Sequence, residues 1–262
     1  MKHFIYLMLL FTPLAAYAQE GQGNIVAPTT IEGCDKVLGD SAYSKSDYAT
    51  AISAYEYIIA NEGVAPELYY NLGNAYYKSG EIAKAILNYE RALLLDPSDS
   101  DIRFNLELAR TKTVDKVSDG FKLFLTQWVE SVINVASMHT WAVIGAAAFI
   151  MLLVALLLLF FGKSVSLRKA AMALSVFMLV LCVFSNIAAK HHYDALNVRN
   201  MAIIMSPGVT AKSTPDASGT SLFVIHEGRK VKVSDDTMKD WKEIELEDGT
   251  VGWIPTSALE II

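Results

Sequence analysis

Two stretches without a single charged residue, 141–161 and 170–189, constrain this chain more than any other feature. Each is about twenty residues long, enough for a helix to cross about 30 Å of hydrocarbon. A helix buried in a soluble core seldom reaches that length without a charge, and two in succession are rarer still. The segment between them, 162–169, carries Lys163, Arg168 and Lys169 and no acid, so the positive-inside rule assigns it to the cytoplasm. A connection that short makes the two helices antiparallel and leaves both flanks on the outer side. Neither stretch holds Asp, Glu, Lys, Arg or His, the groups a transporter or proton relay keeps at membrane depth. They read as anchors: transmembrane helix 1 over 141–161, a cytoplasmic loop over 162–169 and transmembrane helix 2 over 170–189.

The start of the chain predicts the same topology. Met1-Lys2-His3 is a short positive beginning, 4–14 is apolar but too short to span, and Ala16-Tyr17-Ala18 offers small residues to a signal peptidase. A signal peptide over 1–18, cleaved after Ala18, and a linker over 19–33 are expected; an uncleaved anchor is the alternative. Between the outer N-terminal part and the first span, Phe121, Phe124, Leu125, Trp128, Val129, Val132 and Ile133 recur at helical spacing. They predict an amphipathic helix over 119–138, lying on the outer membrane surface or packed on the domain before it. The whole is expected to be a two-pass protein of a bacterial inner membrane, with both folded ends periplasmic.

Away from the leader and spans, acids outnumber bases in both remaining segments, and the net charge is −6. That balance opposes nucleic acid and anionic lipid heads and favours protein partners. Cys34 and Cys182 are the two cysteines. With one of them inside a span, no structural disulfide is expected, and Cys34 is read as a small residue at a helix start or as a free thiol.

The segment 34–116 has an internal period. Leu38 and Leu72, Gly39 and Gly73, Ala51 and Ala85, and Tyr55 and Tyr89 each recur one 34-residue step apart. This resembles the tetratricopeptide repeat, in which small residues let two antiparallel helices approach while large ones fill the gap. Tyr69, Leu72-Gly73, Tyr76, Ala85, Tyr89, Ala92 and Pro97 mark the better copy, 66–99. The copy at 32–65 departs from the pattern at Asp35, and 100–113 reads as a capping helix over the exposed end of the stack. The resemblance implies a concave face that takes peptides or helices, and it places Lys36, Asp40, Tyr43, Tyr70, Asn71, Asn74, Tyr77 and Asn105 there. Some family members clamp a terminal carboxylate with cations and asparagines. Lys36 and Asn71 fit that arrangement, but Asp40, Asp101 and Asn105 stand where an asparagine and two cations are needed.

After a stalk over 190–200 the pattern changes to short apolar runs with turn residues between them: 202–205, 209–212, 222–225, 229–233, 241–246 and 251–255. Ile244 and Leu246 alternate with Glu243, Glu245 and Glu247, and Asp248-Gly249 supplies a hairpin turn. The order of strands, Trp241 and the Gly252-Trp253-Ile254 ending resemble the bacterial SH3-type domain, a small all-β barrel, over 201–262. Phe223, Trp241 and Trp253 are its groove candidates; the alternative is that they serve the barrel's own core.

No nucleophile elbow, phosphate loop or Cys-x-x-Cys motif occurs, and the histidines lie in the leader, beside the spans and at His226. The expectation is a non-enzymatic protein without cofactor or metal. The fold class is a multidomain membrane protein: a helical repeat array, a two-helix transmembrane hairpin and a small β-barrel. This order of parts, with Asp101-Ile102-Arg103-Phe104-Asn105-Leu106-Glu107-Leu108-Ala109-Arg110 and the C-terminal 249–262, resembles the BatE proteins of the bacterial aerotolerance operon. That resemblance implies a scaffold working with other Bat proteins that carry von Willebrand factor A-type domains, and with a MoxR-type ATPase, in oxygen or envelope stress tolerance. The alternative function is a cell-wall anchor whose SH3-type domain binds peptidoglycan.

Overall fold

The computed structural model describes residues 36–115 and 124–262. The expected signal peptide, the linker, Cys34, Asp35 and the first residues of the amphipathic helix lie outside the described residues. The chain divides into two compact units. One runs from Ile133 to Asn197; the other joins the described residues through Val132 to Val198–Ile262.

In the second unit, helices α1 (Lys36–Ser44) and α2 (Tyr48–Asn61) form one hairpin, α3 (Pro66–Ser79) and α4 (Ile82–Leu95) form the next, and α5 (Ser100–Arg110) follows. Local chemistry sets these limits. Asp47 caps α2 by accepting from the Thr50 amide, Pro66 opens α3, and Asp99 accepts from the amides of Asp101 and Ile102 at the start of α5. The 34-residue period reappears as packing. A Cβ on Gly39 would stand 2.5 Å from the Tyr55 ring, and one on Gly73 would stand 2.7 Å from the Tyr89 ring. Each repeat thus lays a second-helix tyrosine flat on a first-helix glycine. Ala51, Leu72, Ala75, Ala85, Ile86, Ala92, Ile102, Leu106 and Ala109 complete the buried seam between the helices.

The C-terminal part of this unit is one antiparallel sheet. Its strands are β1 (Met201–Ile204), β2 (Gly208–Lys212), β3 (Ser221–His226), β4 (Lys230–Asp235), β5 (Trp241–Glu245), β6 (Val251–Pro255) and β7 (Leu259–Ile261). The order across the sheet is β3-β2-β6-β5-β4-β1-β7. Six of the strands coincide with the apolar runs of the sequence; β7 was hidden because a short 3₁₀ turn, Thr256–Ala258, separates it from β6 in place of a glycine turn. Ala202, Ile204, Ala211, Ile225, Val231, Val233, Ile244 and Ile254 fill the inner side.

Ile203 alternates away from that core and is fully buried against the repeat helices, with Met205 and Ile262 beside it. The sheet and the repeat array therefore share apolar packing. Polar contacts frame it. Glu90 of α4 is 5% exposed and accepts from Arg110 Nη2 at 2.5 Å and Lys230 Nζ at 2.7 Å. Burial alone would push its carboxyl up; the charges of Lys230 and Arg110 outweigh this and hold it below the ordinary range. Arg91 Nη2 donates to Glu260 at 2.9 Å and to the Ile261 carbonyl at 2.7 Å. Asp115 accepts from the His226 backbone amide at 2.7 Å and lies 2.8 Å from its Nδ1. Gly228, at φ 80°, turns the chain where a Cβ would meet Thr113 at 2.6 Å and Ile86 at 3.0 Å.

In the first unit, α7 (Met138–Phe161, 24 residues) and α8 (Val165–Asn197, 33 residues) are long and apolar enough to cross a membrane. Gly145, Ala148 and Ala155 of α7 and Ala171, Ser175, Ser185 and Ala189 of α8 are buried, so small residues form the hairpin seam. Ile150, Leu157, Phe160, Val176, Phe177 and Val180 are exposed. Helix α8 continues through part of the expected loop and most of the expected stalk. It starts where Ser164 Oγ accepts from the Leu167 amide at 3.1 Å, since a cap rather than a change of hydropathy ends a helix. His192 is buried; its Nε2 donates to the Ile133 carbonyl at 3.1 Å, and Trp141 Nε1 donates to the same oxygen at 2.8 Å. That carbonyl ends helix α6 (Phe124–Ile133), on which Trp128 is exposed.

Candidate protein-binding site

First helices of the repeats carry the candidate residues at helical spacing, so each helix presents them as one stripe. Lys36, Asp40 and Tyr43 come from α1, Tyr70, Asn71, Asn74 and Tyr77 from α3, and Asn105 from α5. All but the exposed Lys36 are half-buried. The structure brings most of them into a ladder of two separate, equivalent hydrogen-bonded rungs, one per repeat.

Asp40 Oδ1 accepts from the Tyr55 hydroxyl at 2.7 Å and from Asn71 Nδ2 at 3.5 Å. One repeat on, Asn74 Oδ1 accepts from the Tyr89 hydroxyl at 2.7 Å and from Asn105 Nδ2 at 3.2 Å. Acceptor, tyrosine and asparagine are each displaced by one repeat, so this is the same contact made twice. In each case the first-helix acceptor ties together the second helix of its own repeat and the first helix of the next. Asn105 Nδ2 also donates to the Tyr70 hydroxyl at 2.8 Å, and the Tyr70 and Tyr89 rings lie 6.1 Å apart.

Tyr55 and Tyr89 were legible in the sequence only as packing residues, yet their hydroxyls reach through to Asp40 and Asn74 on the first helices. Burial raises both phenols above their ordinary value, and for Tyr55 the neighbouring Asp40 adds to the rise, so both are fixed as donors. The signal that could have found them is the polar equivalence of Asp40 with Asn74 at the same offset as Tyr55 with Tyr89.

The two ends of the ladder differ. Asp40 Oδ2 faces Lys36 Nζ at 2.9 Å, and a cavity of about 300 Å³ opens there, lined by Asp40, Tyr43, Ser44, Tyr55, Asn71 and Asn74. Partial burial pushes the Asp40 carboxyl up, but hydrogen bonds from Lys36 and Tyr55 prevail and leave it below the ordinary range. The one clamp-like cation of the sequence is thus paired within its own helix, and an ionised carboxylate stands beside the opening. Tyr77 lies further along α3, packed on the repeat core.

The three aromatic candidates of the sheet do not converge. Phe223 has the same parity as buried Ile225 and packs into the sheet core over Gly252, whose added Cβ would meet its ring at 3.2 Å. Trp241 and Trp253 have the opposite parity to Ile244 and Ile254 and lie on the outer face, where Trp253 stands across from Glu243. Phe223 is therefore removed from any surface that the two tryptophans form.

Residues 66–99, which hold α3, α4 and the closing Pro97, match the family model of the tetratricopeptide repeat. No curated protein matches the chain. A tetratricopeptide repeat is a protein-interaction module, and here one accompanies two apolar helices and a small antiparallel sheet.

Proposed function

We propose that this chain is a non-enzymatic, membrane-anchored adaptor whose repeat groove holds a segment of a partner protein outside the cytoplasmic membrane. The observation that carries this reading is the Asp40–Asn74 ladder. It fixes tyrosines and amides on one half-buried face, where rigid rings and amide groups can grip a backbone with little further loss of side-chain entropy. The shared packing of Ile203 with the repeat helices supports the anchor. Segments on both sides of the hairpin belong to one folded unit, which agrees with two crossings and supports placing both on the same side of the bilayer. The apolar outer surface of α7 and α8 suits lipid, and the basic 162–169 segment and the leader favour a periplasmic placement.

On the resemblance to BatE proteins, the partners are other Bat proteins with von Willebrand factor A-type domains, in a MoxR-linked complex serving oxygen or envelope stress tolerance. Photo-crosslinking in intact cells from Tyr70 and Tyr77, followed by identification of what is captured, tests the groove. With the photo-crosslinker kept at position 70 or 77, alanine at Tyr43, Asn71 and Asn105 is expected to remove the principal crosslinked species; an unchanged set overturns the assignment.

A second reading, a peptidoglycan anchor, is favoured by the outward-facing Trp241 and Trp253 on a sheet that resembles an SH3-type barrel. Detergent-solubilised full-length protein that pellets with purified sacculi, and ceases to do so with both tryptophans changed to alanine, would support it. No pelleting would dismiss it.

A further inference from the structure

We propose that the Asp40 end of the groove is a cation seat that receives the ammonium group of a lysine side chain on the bound partner segment. This rests on the reading of the concave face as a peptide-binding surface and specifies its chemistry.

Asp40 is the carboxylate lining an opening whose other walls are Tyr43, Ser44, Tyr55, Asn71 and Asn74. Its two oxygens do different things. Oδ1 is taken from within by Tyr55 and Asn71, which fix the carboxylate plane. Oδ2 is turned to the side where Lys36 Nζ stands, and the Asp40 side chain remains 44% exposed. A lysine ammonium is therefore already seated on this oxygen, supplied by the chain itself. It is held loosely, because an exposed pair four residues apart on a helix contributes little and the Lys36 side chain is itself 47% exposed.

An incoming ammonium can take that place while its methylene stem lies along the half-buried Tyr43 ring. With Oδ1 engaged, the seat offers one oxygen. That suits the point charge of an ammonium better than the two-pronged guanidinium of arginine, which wants both. A carboxylate ligand would meet Asp40 head on. The second repeat marks the contrast, since neutral Asn74 occupies the equivalent place with the same tyrosine contact.

The test uses the full-length protein in detergent micelles and immobilised, end-blocked nonapeptides of alternating leucine and serine. Their central residue is lysine, arginine, glutamine or glutamate, and interferometry reads retention. The lysine peptide is expected to bind about tenfold more tightly than the glutamine peptide, with arginine between them and glutamate weakest. Asp40→Asn installs what the second repeat already tolerates, so the fold persists, and it should bring lysine and glutamine to equal affinity. Lys36→Ala removes the internal competitor and should strengthen lysine binding several-fold, an effect that a merely structural role for Lys36 would not produce. Equal retention of the four peptides, a preference for glutamate, no retention of any, or a lysine preference that survives Asp40→Asn each overturns the proposal. The in-cell crosslinks from Tyr70 and Tyr77 carry no charge requirement and decide the parent reading separately.

Discussion

Glu90 and Lys230 are 140 residues apart in the chain, yet their side chains meet at 2.7 Å. Arg110 reaches the other oxygen of the same carboxylate at 2.5 Å. One buried acid in α4 is thus shared by the last repeat helix and a strand of the C-terminal sheet. Beside it, Ile203 supplies the apolar part of the junction and Asp115 secures the end of β3. On this side the repeat array packs on the chain's own C-terminal sheet, while the stripe of α1, α3 and α5 carries the ladder.

Neutralising that acid should weaken the junction more than any exposed ion pair. Glu90→Gln keeps the shape but leaves Arg110 and Lys230 facing each other without an anion. Removing one partner of a buried pair costs about 3 to 5 kcal/mol, and the two cations here are about one-third exposed, so a loss of about 2 kcal/mol is expected. Denaturant unfolding of the full-length protein in detergent, followed by tryptophan fluorescence, measures it. Glu107→Gln removes the exposed partner of the same arginine and should change stability by less than about 0.5 kcal/mol.

The same carboxylate predicts a pH dependence. Its folded-state pKa lies below the unfolded value of about 4.5, so the ionised form is favoured by folding. The stabilisation is fully present above that unfolded value and is lost as pH falls through the lower, folded one. Other lowered acids, Asp40 among them, contribute in the same direction, so the informative quantity is the difference between wild type and Glu90→Gln. That difference should be flat from pH 8 to about pH 5 and shrink below about pH 4.5. A difference that grows on acidification would contradict the ion-pair assignment.

How much of this could be read from the residues depends on whether the cause is local. Gly39 under Tyr55 and Gly73 under Tyr89 are visible as a period because each pair lies within one repeat, and the 66–99 match follows from the same spacing. The two long apolar helices are visible because about twenty successive residues without a charge stand out in the composition alone. Glu90 gave no sign: an acid between Tyr89 and Arg91 looks like any solvated helix position, and its partner Lys230 belongs to a distant strand. Strand β7 was missed and the direction of Phe223 stayed open between groove and core for a related reason, since both depend on register across the sheet rather than on any local pattern. The ladder was half legible. Its asparagines and Asp40 fall on the expected stripe, but the phenolic hydroxyls that fix them come from the helices behind.

Those hydroxyls allow a sharper experiment than side-chain removal. Tyr55→Phe and Tyr89→Phe keep the ring on its glycine and delete only the donor, so each should cost about 1 kcal/mol, the net value of one part-buried hydrogen bond. Tyr55→Phe should cost the more, because its acceptor is a carboxylate and charge-assisted bonds are stronger.

Gly73→Ala tests the packing beneath the ladder. On propensity alone, alanine in the middle of α3 should gain about 1 kcal/mol over glycine. The structure forecasts the reverse, because the added Cβ would stand 2.7 Å from Cδ1 and Cε1 of Tyr89. The ring cannot swing away freely: its hydroxyl is tied to Asn74 and it is 1% exposed within the repeat core. Overpacking of this kind costs about 1 to 3 kcal/mol, so a net destabilisation is expected, and the Tyr89 hydroxyl should be pushed off Asn74. Combining Gly73→Ala with Tyr89→Leu relieves the clash at the expense of the hydrogen bond. The double variant should therefore be more stable than the sum of the two single losses predicts, a positive coupling that denaturant unfolding of the four proteins in the cycle would read directly. Simple additivity would mean that the ring does not rest on Gly73, and the tyrosine-on-glycine packing of both repeats would have to be abandoned.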